Sequence, residues 1–187
     1  MPAVFDESDR IVVMDLEATC DDRGSVPKHE MEIIEIGAVL IHPGDFLLLS
    51  EHQAFVRPAR HPVLTAFCRE LTTISQADVD GAPLFPDAIA SFKAWMVEHG
   101  ATVWCSWGDY DRKQMQQDCA LHGVPYPMPG RHINVKALFS ETRGIKKRLG
   151  MAEALTHAGL DLAGTHHRGS DDARNIARLL PFAVGAR

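Results

Sequence analysis

A chain of 187 residues with 45% hydrophobic content is long enough for one well-buried domain, and its formal net charge of −6 argues against a broad basic surface that coats nucleic acid. Any nucleic-acid contact should therefore be small and local. The first residues, MPAVFDESDR, are polar and acidic and no apolar run approaches ~20 residues, so neither secretion nor membrane spanning is expected. Cys20, Cys68, Cys105 and Cys119 have no metal-ligand or CxxC spacing, which fits reduced thiols in a cytoplasmic protein better than a disulfide framework.

In chain order, Ile11 to Ala18, Glu32 to Ile41 and Phe46 to Val56 are apolar or alternating runs. Turn-rich segments around Asp21 to Lys28 and at His42-Pro43-Gly44-Asp45 separate them, and they read as three neighbouring, mostly antiparallel strands. A helical region follows: Pro62 to Glu70, a short turn at Ser75 to Val79, and a longer helix from about Pro86 to His99 with Ala88, Phe92, Trp95 and Met96 on one face. Val103 to Trp107 reads as a fourth strand, then a helix from Tyr110 to His122 is closed by Gly123. After the loop VPYPMPG come helices near Val135 to Glu141, Met151 to Ala158 and Ser170 to Leu180. The pattern is α/β with a mixed sheet, a single domain over 1–187 with its core at about 10–182. There is no repeat or linker.

Acidic and histidine residues gather in three patches: Asp15 and Glu17 in IVVMDLEATC, Asp111 in CSWGDYDRKQM, and His167 with Asp172 in HHRGSDDARNIA. The two-residue period of a strand puts Asp15 and Glu17 on one face, directly after the apolar run Ile11 to Met14. Two unpaired acids on a buried strand are strongly unfavourable, so a counter-charge is needed, and a divalent cation is the natural one.

The set DxE, then D, then HxxxxD resembles the DEDDh branch of the DnaQ-like 3′-to-5′ exonucleases, which share an RNase H-like fold. FCRELTTISQADVDGAPLFPDAIASFKAWM, CSWGDYD, HINVKALF and GTHHRGSDDARNIA further resemble the Eri-type exoribonucleases. The similarity runs from residue 11 to about 180. It implies an RNase H-like mixed β-sheet flanked by α-helices, and hydrolysis of phosphodiesters at single-stranded or overhanging 3′ ends with release of nucleoside 5′-monophosphates. RNA is a better expectation than DNA as the partner, because the resemblance is to exoribonucleases.

That chemistry needs an activated water and stabilisation of charge on the phosphoryl oxygens and the departing 3′-oxygen, which two divalent ions about 4 Å apart supply. Hard Mg²⁺ or Mn²⁺ prefer the oxygen ligands that Asp15, Glu17, Asp111 and Asp172 offer. By resemblance Asp15 bridges both ions, Glu17 and Asp172 complete the first site, and Asp111 holds the second. His167 is then the general base, with an unperturbed pKa near ~6.5 that suits neutral pH. The resemblance also places Leu16, Ala18 and Thr19 around the terminal nucleotide. Tyr110 is either a stacking platform or core packing.

Plainer roles compete with these. A lone DxE is commonly a solvated strand end, while Asp111, Asp171 and Asp172 suit helix first turns, the last two after Ser170 as N-cap. Asp172 rather than Asp171 has the family spacing to His167. His166 is assigned to backbone support, and Glu35 in IIEIG to an inter-strand polar pair in preference to a place beside the metals. Arg143 to Gly150 (RGIKKRLG) and Arg168 form a basic cluster able to follow a 3′ tail or simply to be solvated. Trp104 and Trp107 are core or pocket wall. No residues are left over for the extra nucleic-acid-binding module of some relatives. The alternatives are a DNA exonuclease of proofreading or repair, a non-catalytic RNA-binding module and a protein scaffold.

Overall fold

The computed structural model describes residues 4–187. Strands β1 (Ile11–Ala18), β2 (Ile33–Ile41), β3 (Leu48–Phe55), β4 (Val103–Ser106) and β5 (His132–Asn134) form one sheet in the order β3-β2-β1-β4-β5. β1 is antiparallel to β2 and β2 to β3, whereas β4 runs parallel to β1 and β5 parallel to β4. The helices are α1 (Ala66–Thr72), α2 (Gln76–Asp80), α3 (Phe85–Glu98), α4 (Tyr110–His122), α5 (Val135–Thr142), α6 (Met151–His157) and α7 (Gly169–Ala183). This is the expected mixed sheet with helices on both sides. Among the described residues no helix is long and apolar enough to cross a membrane.

Both faces of β1 are covered, which is why its sequence is unbroken apolar up to Met14. Ile11 and Val13 join Phe139, Leu155, Ile176 and Leu180 of α5, α6 and α7, while Val12, Met14 and Leu16 pack with Phe85, Phe92 and Met96 of α3 and Met115 of α4. Truncating the fully buried Phe92 to alanine would cost about 3–5 kcal/mol. The alternation continues past the core, so Asp15 and Glu17 fall on the face that carries α7. The C-terminal ends of parallel β1 and β4 point the same way, the arrangement in which α/β sheets bind ligands.

The structure corrects several boundaries. Strand β3 begins at Leu48, because Phe46 turns through φ 58° with its N–H on the His42 carbonyl. The helix expected from Pro62 starts at Ala66, where the Thr65 hydroxyl accepts from Cys68 N at 2.9 Å. Ser75–Val79 is not a turn but the start of α2, with a reciprocal capping box between Ser75 and Asp78. Three-residue β5 is too short to show a period, and sequence reading misses it. Ser170 is not the cap of α7: Arg168 is, and Gly169 N is taken by the Glu35 carboxylate at 3.0 Å.

Candidate metal centre and substrate pocket

Asp15, Glu17 and Asp172 converge where β1 meets α7, each offering a carboxylate oxygen within 4.8 Å of the others. Asp15 lies opposite Gly37 of β2 and Glu17 opposite Glu35, with a bulge after Glu17 that ends the regular ladder at the site. Gly37 is glycine for a reason of space. A Cβ there would sit 2.0 Å from the Gly169 carbonyl carbon, so any side chain would push the start of α7, and Asp172 with it, away from β1.

Asp111, on the first turn of α4, is buried and joins the same cavity, but it is outside the tight cluster of three. Its Oδ1 accepts from Leu16 N at 3.0 Å, which locks the start of α4 onto the end of β1. The strand-end reading of a solvated acid fails for Glu17, which is only 8% exposed, while Asp15 is half-buried.

Electrostatics follow from crowding acids where water is scarce. Burial first, then the Asp111 and Glu17 carboxylates, hold Asp15 well above the ordinary range. Burial and then Asp172 push Glu17 up to about 8. Asp111 is pushed by burial to about 6, against the lowering hydrogen bond from Leu16 N. Asp172 is raised by burial, against the lowering effect of His166.

His167 has φ 62°, a left-handed conformation rare for a side chain this large. Its own N–H donates to Asp172 Oδ2 at 3.0 Å, which fixes the loop to the carboxylate, and its ring lines the cavity. Burial, then His166, lowers its pKa, which favours the neutral imidazole. His166, expected only to support the backbone, also reaches the site: its Nδ1 lies 2.9 Å from Asp172 Oδ2 and its ring stacks on that of His167 at 4.0 Å.

The cavity has a volume of about 400 Å³. Leu16, Ala18 and Tyr110 line it, with Tyr110 47% exposed and so available to a ligand. Thr19 does not. It is buried beside the site, its hydroxyl accepting from Glu32 N at 2.9 Å and its N–H donating to the Glu32 carbonyl, a clasp that closes the loop after β1. Trp107 lines the cavity while Trp104 is core. Cys20, Met31, Leu71 and Met151 complete the wall, and nothing in their local sequence marks them.

A divalent metal fits these residues on the structure's own terms. The donors are carboxylate oxygens, and Asp172 Oδ1 is buried without any hydrogen-bond partner, an acceptor left open toward the cluster.

Residues 12–180 match the family described as Exonuclease (RNase_T). The solved nuclease domain of 3′hExo, described as a DEDDh family member bound to rAMP, superposes with a TM-score of 0.85 at 31% identity, covering 92% of this chain and 90% of that one. The chain belongs to the DEDDh exonucleases.

Within this family the chain is similar to human ERI1 exoribonuclease 3, at 33% identity over 178 residues, or 90% of this chain and 52% of the relative. It thus spans about half the length of that relative. It also resembles the Probable 3′-5′ exonuclease KapD of Bacillus subtilis, at 28% identity over 170 residues, 90% of this chain and 82% of the relative. The four carboxylates and the histidine singled out in the sequence, Asp15, Glu17, Asp111, Asp172 and His167, all line one cavity.

Proposed function

We propose that the chain is a divalent-metal-dependent 3′-to-5′ exonuclease acting on RNA 3′ ends and releasing nucleoside 5′-monophosphates. The observation that carries this reading is the convergence of Asp15, Glu17 and Asp172 within 4.8 Å in the cavity that His167 also lines. Mg²⁺ or Mn²⁺ is supported by the all-oxygen donor set, and RNA by the exoribonuclease relatives and the rAMP in the 3′hExo structure.

Asp15, Glu17 and Asp172 would hold the metal, with Asp111 available for a second ion. Bound divalent cations would supply Lewis-acid stabilisation of charge on the phosphoryl oxygens and the departing 3′-oxygen. The chain's residues supply the rest. His167 takes a proton from the attacking water, which its lowered pKa leaves it free to accept. His166 and the His167 N–H orient Asp172. Leu16 and Ala18 provide an apolar wall for the terminal sugar or base, and the exposed ring of Tyr110 offers a face for stacking any base. The four cysteines, all free thiols, support a reducing, cytoplasmic setting.

The test is a single-stranded RNA labelled at its 5′ end, incubated with Mn²⁺ and resolved on a gel. A ladder shrinking one nucleotide at a time, with 5′-monophosphates as product and no reaction in excess EDTA, is the expected result. Activity in EDTA would overturn the reading, as would 3′-monophosphate products. Faster degradation of the matched DNA would move the chain to the DNA exonucleases.

A further inference from the structure

We propose that Lys146, Lys147 and Arg148 of the basic loop 143–150, together with Lys136, are the track that binds the phosphates on the 5′ side of the scissile bond. This rests on the exonuclease reading above. Part of the cavity wall is apolar, from Cys20, Met31 and Leu71, and Trp107 and Met151 also line it. The basic loop meets that wall at Trp107 and runs on into Met151 at the start of α6.

One contact joins that loop to the cavity wall and two others fix its course. The Trp107 indole N–H donates to Leu149 O at 3.2 Å, the buried Ser140 hydroxyl shares its proton between Lys136 O at 3.0 Å and Lys147 O at 3.3 Å, and Gly150 N donates to Glu153 at 3.0 Å as α6 begins with Met151 in the wall. A recess lined by Gly108, Asp109, Asn134, Lys136 and Arg148 adjoins it beside the residues that lead into Asp111. In a chain of net charge −6, Lys136, Lys146, Lys147 and Arg148 fall within one short stretch of sequence, whereas the Arg143 guanidinium is already engaged with the Arg187 carbonyl and the Phe182 ring. Among the described residues Lys136 and Lys146 make no ion pair. Lys147 and Arg148 pair only with Glu153 and Glu141, through exposed side chains (71%/54% and 49%/67%). Such pairs are weak, and a phosphate can replace the carboxylate.

Arg168, the remaining member of the cluster read from sequence, is excluded. Its guanidinium is 3.2 Å from the buried Glu35 carboxylate. The rival exit passes Tyr110 toward Lys28 and Lys113, where there are only two cations and Gln114 and Gln117 are already spent on the Met31 carbonyl.

The experiment compares the native chain with Lys146→Ala/Lys147→Ala/Arg148→Ala and with Lys28→Ala/Lys113→Ala. Two substrates are used: a single-stranded RNA of about 20 nucleotides and the p-nitrophenyl ester of a nucleoside 5′-monophosphate, which has no upstream phosphate. Binding of the fluorescein-labelled RNA is followed separately by anisotropy against salt, without turnover. The triple variant is expected to raise the ratio of the RNA KM to the ester KM by about 10-fold and to lower the slope of log Kd against log salt by about 2, since each phosphate contact to a single strand contributes about 0.7. An unchanged slope and ratio in the triple variant would overturn the proposal, and so would these losses appearing in the Lys28/Lys113 variant instead. If neither substrate were hydrolysed by the native chain, the exonuclease reading would fail, while the anisotropy slopes would still decide where the RNA backbone lies.

Discussion

Glu35 and Arg168, separated by 133 positions in the chain, form a clamp at the base of the loop that carries His167. Glu35 is fully buried, and its Oε2 accepts from Arg168 Nε at 3.2 Å and from Gly169 N at 3.0 Å, while Oε1 accepts from Gln53 Nε2 at 2.6 Å. The inter-strand pair expected for Glu35 is thus present through Gln53, but the same carboxylate also holds the residues between His167 and Asp172. Glu35→Gln keeps an acceptor for Gly169 and discards the charge. Hydrogen bonds to charged groups contribute about 1.5–3 kcal/mol, so the variant should melt lower by that order. Its kcat should fall more than its affinity for RNA, because His167 and Asp172 lose their seat and the track does not. A variant equal to the native chain in both melting and kcat would show the clamp to be idle.

Asp15→Asn removes one acid from a crowded, buried group. The metal-free protein should be as stable as the native chain or more so, because mutual repulsion is relieved, while hydrolysis falls to background. The check is a pair of thermal melts in EDTA alongside an activity assay. Loss of activity accompanied by unfolding would assign Asp15 a structural role.

The two histidines should separate by readout. His167→Ala should lower kcat by about 10²-fold or more with little change in the metal concentration needed, because it removes the proton acceptor and leaves the carboxylates. His166→Ala frees Asp172 Oδ2 from its ring contact at 2.9 Å and should instead raise the metal concentration for half-maximal activity. Metal titrations of both variants decide it, and the reverse assignment would make His166 the base.

Stability should depend on pH in a direction set by the acid cluster. Glu17 titrates at about 8 and Asp111 at about 6 in the folded, metal-free chain, against about 4 when unfolded. Between those values the unfolded chain releases protons that the folded chain keeps, so the share of stability set by the acid cluster should fall in EDTA as pH rises from 5 to 8. Asp21, Asp45 and Asp78 act at lower pH, but His52, His132, His167 and Cys68, held below their ordinary ranges, act in the opposite direction within this window, so the cluster is isolated as the difference between the native chain and Glu17→Gln. Metal needs the ionised carboxylates, so Mn²⁺ should raise the melting temperature more at pH 8 than at pH 5. Melts of the native chain and Glu17→Gln at the two pH values, with and without Mn²⁺, test both signs, and a metal-free native chain that does not lose stability relative to Glu17→Gln from pH 5 to pH 8 would contradict the cluster.

Circular RNA should resist digestion under conditions that degrade its linear form, because Leu16, Ala18 and Tyr110 line a pocket of about 400 Å³ sized for a chain end. Efficient cutting of the circle would place the chain among endonucleases.

The sequence by itself determined what depends on short spacing. The period of β1 set Asp15 and Glu17 on one face, the four residues between His167 and Asp172 distinguished the latter from Asp171, and the apolar run to Met14 announced a strand buried on both sides. Residues whose roles depend on distant partners were decided only by the tertiary structure. Thr19 left the pocket for Glu32, Arg168 left the basic cluster for Glu35, and His166 entered the site through Asp172. The reason is physical: a strand or helix period is a property of neighbouring residues, whereas the pairing of Glu17 with Glu35, and the docking of Gly169 on Gly37, depend on the register of β1 with β2 and on a close backbone approach across the sheet.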